Sequence, residues 1–172
     1  MNVKLTQTID GSIVEAGIVP AGRSFALPSL TEGWRFNFRK YARCAGAQTY
    51  VLYVIESPGQ IEGCLIFEMR GRAEPYMAFI EVAPHNLGRH KQYENVAGCL
   101  IAFACRLSFR AEEPYKGWLA FDVMEERTED AIKLMALYCR KYGAVIFQDT
   151  TLVIGPENGE ALIEKYLNTD II

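Results

Sequence analysis

The chain has 172 residues and a mass of 19.4 kDa, 50% hydrophobic, 23% charged and 12% aromatic. That is enough to bury one sizeable core, too little for two full-sized domains, and far from the composition of a disordered chain. With 18 basic against 21 acidic residues the net charge is −3, so the positive field of non-specific nucleic-acid or anionic-membrane binding is absent and nucleic acid is not expected as a partner.

Val3 to Ile9 is the first strand candidate. The opening MNVKLTQTIDGS lacks the layout of a secretory signal, and no apolar run approaches the roughly 20 residues of a membrane span, so a cytoplasmic location is expected. An irregular stretch runs on to Pro28. Ser29-Leu-Thr-Glu32 then has the capping-box pattern and predicts an amphipathic helix. In that helix Trp34, Phe38 and Tyr41 share an apolar face, while Arg35, Arg39 and Arg43 recur on another. The arginines read either as a solvated face or as the border of an anionic ligand.

Three strand segments follow, Thr49 to Ile55, Ile61 to Met69 and Tyr76 to Val82, joined by short turn-forming separators that favour an antiparallel meander. A nearly apolar helix is predicted from Lys91 to Phe109. Gly117 to Val123 is a strand that can lie parallel to Tyr76–Val82, because a helical crossover joins them. Thr128 opens a helix that stops at Gly143; Ala144–Phe147 and Thr151–Ile154 form a hairpin, and a short helix covers Glu157 to Leu167. The predicted class is therefore α/β (α+β), a mixed sheet flanked by helices. Without repeats or a linker, residues 1–172 are read as one domain. The five cysteines, Cys44, Cys64, Cys99, Cys105 and Cys139, form no C-x-x-C pair and read as reduced core residues. No metal site is expected.

The segment richest in chemistry runs from Phe79 to Gly98. A strand ends in Val82-Ala-Pro84, a polar basic turn follows with Arg89, His90 and Lys91, and small residues, Ala97 and Gly98, open a helix. The first N–H groups of a helix lack internal partners and sit at the positive end of its dipole, which suits a pyrophosphate. Arg89, His90 and Lys91 either add charge beside it or form a solvated loop.

Val82-Ala-Pro84 with Gln92-Tyr-Glu-Asn-Val-Ala97 resembles the acetyl-coenzyme-A signature of the GCN5-related N-acetyltransferases (GNAT), with Asn95 in place of the first glycine. The resemblance covers about two thirds of the chain, from Thr49 to Ile154. It implies the GNAT-like fold, a mixed central sheet with an antiparallel N-terminal meander and a splayed parallel strand pair that holds pantetheine. It also implies acetyl-CoA as cofactor, held by Val82, Ala83, Arg89, Gln92, Tyr93, Asn95, Val96, Ala97 and Gly98, with a backbone N–H near Val82 polarising the thioester.

Strand alternation puts Met77, Phe79 and Glu81 on one face and Tyr76, Ala78, Ile80 and Val82 on the other, so Glu81 sits among apolar side chains. Glu81 is the first candidate base; its other reading is a structural carboxylate bonded to loop backbone or to Arg89. Glu68, beside Arg70, reads as a surface ion pair. For the acid, the resemblance implies Tyr138, in Leu137-Tyr138, with Tyr142 as fallback; either can instead be packing. His85 and Asn86 read as loop hydrogen-bonding groups.

The expected function is acetyl-CoA-dependent transfer of an acetyl group to an amine of a small molecule or protein by direct transfer. The alternatives are a protein of this fold that binds coenzyme A or a protein partner without catalysis, and an acyltransferase acting on charged tRNA. A homodimer through a sheet edge or the last hairpin is compatible with the sequence.

Overall fold

A computed structural model describes residues 1–167. Asn2–Gln7 (β1) and Ile13–Pro20 (β2) form an antiparallel hairpin. Gln48–Val54 (β3), Ile61–Arg70 (β4) and Glu74–Val82 (β5) extend it as the expected meander. Val96–Ser108 (α2) crosses to Leu119–Asp122 (β7), which lies parallel to β5. Thr128–Tyr142 (α3), Val145–Gln148 (β8), Thr151–Ile154 (β9) and Pro156–Leu167 (α4) complete the described residues. Two small elements, Phe38–Tyr41 (α1) and Tyr93–Glu94 (β6), lie between β2 and β3 and before α2. The nine strands of the described residues make one sheet in the order β6-β1-β2-β3-β4-β5-β7-β9-β8.

The sheet carries a core on each face. On one, Leu5, Ile18, Leu52, Leu65 and Phe67 meet Leu100, Ile101 and Leu107 of α2, with Leu162 and Tyr166 of α4 behind them. On the other, Val51, Cys64, Ile66, Tyr76 and Ala78 are covered by Trp34 and Phe38. α2 is apolar all round because it is pressed between sheet and α4. Its approach is close on both sides. A Cβ on Gly63 of β4 would stand 2.7 Å from Leu100 and 2.9 Å from Val96, and one on Gly98 would stand 2.4 Å from the Tyr166 ring. No helix among the described residues is long and apolar enough to cross a membrane.

Four expectations change. The stretch before Pro28 contains a full strand, β2, in the middle of the hairpin-and-meander half of the sheet. The helix expected from Lys91 begins only at Val96; residues 93 and 94 pair with β1 instead. The long helix expected after Ser29 is only a single turn, Leu30–Glu32, which stops at Gly33 in the left-handed conformation (φ 82°), and the short α1. Arg35, Arg39 and Arg43 therefore form no stripe. Finally, Ile66 pairs with Phe79 but Phe67 with Met77, so Ala78 is the extra residue of a bulge in β5. Beyond it the alternation reverses. Phe79 packs with Tyr76 and Ala78 on the α1 face, while Met77, Ile80 and Val82 face α2.

Candidate functional site

β5 and β7 are in register at one pair, Tyr76 with Ala120. Past it the strands part, and Met77 to Val82 leave an edge without a β7 partner. The gap begins at the Ala78 bulge and is lined by Met77, Ala78, Ile80, Phe121, Val123 and Tyr138. Tyr138 is packed against Phe121 (ring centroids 4.9 Å apart), and burial, with Glu125 nearby, pushes its phenol up to about 12. It is therefore protonated at neutral pH.

One side of the gap is strapped by residues 34–36. The Arg35 guanidinium donates to the Met124 carbonyl and to Glu125 (2.5 Å). Glu81 holds the strap from below, because its carboxylate accepts the backbone N–H of Arg35 (2.7 Å) and of Phe36 (3.0 Å). These N–H groups are the ones a continuing helix would have turned inward, so Glu81 takes the place of helical acceptors. Glu81 thus meets loop backbone and still shares a face with Phe79, whereas Met77, on the far side of the bulge, lies on the opposite face.

Beside the far end of β5, against Gly63 of β4, lies the first turn of α2. Its N-cap, Asn95, is in the left-handed region (φ 71°, ψ 3°), makes no side-chain cap bond, and no acidic residue occupies the first turn. Asparagine tolerates that conformation, so the turn forms without glycine. Ala97 is part-exposed beside it. Gly98 is different: its missing Cβ makes room for Tyr166 and does not open a path to the helix end. Ala83 is buried with its N–H donated to the Glu62 carbonyl (2.9 Å), so it serves the turn and has no N–H left for a ligand.

The turn between β5 and α2 is built on a group that sequence reasoning missed. Glu62, 1% exposed, is the extra residue of a bulge in β4. Its carboxylate accepts from the Asn86 amide and meets His85 Nε2 (2.5 Å), which is also 2.7 Å from Gln60 Nε2. Asn86 in turn accepts the Tyr93 N–H (3.0 Å). Thr8 N–H bonds the Gln92 carbonyl (3.0 Å), and Lys91 pairs with Glu94 (3.0 Å). Arg89, Lys91, Gln92 and Tyr93 line a groove with Gln7 and Thr8. The structure therefore sets Val96 of the first α2 turn beside Gly63, the partner of Val82 at the end of β5, and Tyr138 along the gap. Arg89, Gln92 and Tyr93 lie along the β1 edge.

A second missed cluster borders the gap on the α1 face. Asp122 accepts from Tyr76 and Thr151 hydroxyls, and Arg70 lies 3.9 Å away with its guanidinium 3.2 Å above the Tyr76 ring. Desolvation pushes the Asp122 carboxyl up, but the Thr151 and Tyr76 bonds and Arg70 outweigh it and hold it below its ordinary value. Glu68 pairs with Arg70 at 3.5 Å, as expected. Alternation of polar Asp122 with buried Phe121 was the available sign. The buried thiols of Cys99 and Cys105 are pushed up to about 12 by burial, which makes them inert core residues.

No family model matches the sequence, and no curated protein matches it. Solved structures do. The KacTA–DNA complex aligns with 87% of this chain and 99% of its own at 15% identity and a TM-score of 0.60. AtaTR bound with AcCoA aligns over 93% of this chain and 98% of its own at 12% identity and a TM-score of 0.55. AtaT complexed with acetyl-methionyl-tRNAfMet covers 86% of this chain and 99% of its own, at 11% identity and a TM-score of 0.54. With two of these neighbours seen with DNA or tRNA, a net charge of −3 does not by itself decide against nucleic acid in this fold. The meander, the parallel pair that parts beyond a bulge, the crossover helix and these likenesses together give the chain the fold of the GCN5-related N-acetyltransferases.

Proposed function

We propose that the chain is an acetyl-CoA-dependent N-acetyltransferase that moves an acetyl group to an amine by direct transfer. The observation that carries this reading is the gap between β5 and β7, closed at the Tyr76–Ala120 pair, with an uncapped, acid-free helix N-terminus beside the far end of β5. AtaTR, which shares the fold, is bound with AcCoA.

The residues present fit such a cofactor. Val96, Ala97 and Gly98 are the N–H groups of the first turn, suited to phosphate, and the unpaired β5 edge up to Val82 suits the amides of pantetheine. Arg89 and Gln92 lie in the turn that precedes this helix. When bound, acetyl-CoA supplies an acetyl group activated as a thioester. Tyr138 lines the gap and keeps its phenolic proton at neutral pH, which supports it as the general acid for the departing thiolate. Glu81 is a positioning residue, fixing the 34–36 strap beside the gap. Of Arg35, Arg39 and Arg43, two are paired with carboxylates, Arg35 with Glu125 and Arg39 with Glu32.

The test is calorimetric binding of acetyl-CoA to the wild type and to Ala97→Tyr, which fills the helix end without entering the core. Binding by the wild type, weakened at least about a hundredfold in the variant, supports the reading. A folded wild type that binds no acetyl-CoA overturns it and leaves a protein-interaction module of the same fold.

A further inference from the structure

Resting on the acetyltransferase reading, we propose that the acceptor is an amine carried on an apolar, ring-sized body, with the body seated in the groove between Tyr115, Trp118 and Phe147 and the nitrogen facing Asp122. The groove lies across β5, β7 and β9, on the face covered elsewhere by Trp34 and Phe38, and encloses about 530 Å3, a volume suited to a small organic molecule. Its floor is Pro75, Tyr76, Ala120 and Val153. Three large side chains on its walls are open to solvent: Tyr115 is 38% exposed, Trp118 46% and Phe147 73%. Aromatic surface gathered in one concavity, not scattered singly, marks a binding site.

The charges select the ligand. Glu74 lines the groove and bonds the Tyr115 hydroxyl at its outer part, whereas Tyr76 and Thr151, both donors to Asp122, line it near the gap. Glu68 stands close by, in the cavity shared with Arg70, Tyr76 and Ala78. Arg70 is the cation lining the groove, and it is already engaged by Glu68, by Asp122 and by the Tyr76 ring. Carboxylate therefore exceeds guanidinium along the whole path, and aromatic walls add the attraction of ring faces for a cation. An anionic or neutral ligand of the same shape gains neither.

Position ties this groove to the reaction. Asp122 accepts from the groove residues Tyr76 and Thr151 and itself lines the β5–β7 gap, together with Ala78 of the bulge. A nitrogen held at Asp122 stands at the closed end of the gap, whereas the helix end that suits phosphate stands beside the far end of β5.

The experiment uses the full chain without cofactor and compares calorimetric binding of 2-phenylethylamine, its neutral counterpart 2-phenylethanol, and ethylamine. The amine with the ring is expected to bind at least about tenfold tighter than either. Phe147→Ser, at an exposed position that does not threaten folding, is expected to weaken it about tenfold, and Asp122→Asn to erase the preference for amine over alcohol. Equal binding of amine and alcohol, no binding of the ring amine, or indifference to Phe147→Ser overturns the proposal. Acetyl-CoA is titrated into the same preparation. Binding of acetyl-CoA without the ring amine sinks this inference and keeps the transferase reading, whereas binding of the ring amine without acetyl-CoA sinks the transferase reading and keeps an amine-binding groove.

Discussion

Asn95 shows how one residue type sustains a turn that the signature assigns to glycine. Left-handed backbone costs a β-branched residue roughly 1–3 kcal/mol, and asparagine considerably less. Asn95→Gly is expected to keep stability within about 1 kcal/mol of wild type in urea denaturation and to bind acetyl-CoA at least as well. Asn95→Val should lose about 1–3 kcal/mol. Gly98 obeys a different constraint. Gly98→Ala drives a methyl into the Tyr166 ring, 2.4 Å from its nearest atom, and overpacking of this kind costs about 1–3 kcal/mol. The loss is expected to shrink in the double variant with Tyr166→Ala, and additive losses would refute a clash between the two residues. The residues of the turn were legible because Val82-Ala-Pro84 and Gln92–Ala97 are local patterns. Tyr166 and Glu62 were not, since their partners are brought to them only by the packing of α4 and by the β4 bulge.

At the level of elements, the segment from Ser29 to Tyr41 had every local mark of a helix. Its capping box does form in part, with the Ser29 N–H and hydroxyl both on Glu32, 3.0 and 2.7 Å away. Gly33 then stops the turn, and Glu81, distant in sequence, draws in the next free N–H groups. Local propensity lost to a tertiary acceptor. Glu81→Ala should therefore cost about 1–3 kcal/mol by leaving two N–H groups without their acceptor. Glu81→Gln keeps one of the two acceptor oxygens but turns its NH2 toward the other backbone N–H, so it is expected to recover part of both stability and turnover. A general base would behave otherwise: the Gln variant would lose activity as fully as the Ala variant. The meander and α2 were legible because short turns and an all-apolar helix leave few arrangements. The reversal of faces at Ala78 was not, because a bulge adds a residue without altering composition.

For the molecule as a whole, the sheet is two blocks, β6 with β1–β5 and β7 with β9 and β8, that meet at Tyr76 and Ala120. Asp122 reinforces this junction, tying Tyr76 of β5 to Thr151 of β9. Its carboxyl sits below its ordinary value of 3.8 in the folded state. The stabilisation it brings is therefore complete above that value and fades as pH falls through the folded one. Urea midpoints measured from pH 7 downward should show wild type and Asp122→Asn converging in the acid range; a constant difference at all pH values would place the effect elsewhere. Such a narrow junction also has a mechanical meaning. Pulled between handles in the β1–β2 turn at Gly11 and the β8–β9 turn at Asp149, the protein should yield first along this seam, like a panel parting at its hinge. The small block would come away at low force while the meander holds, and a single all-or-none rupture would show that α2 and α4 clasp the two panels more firmly than the strands do.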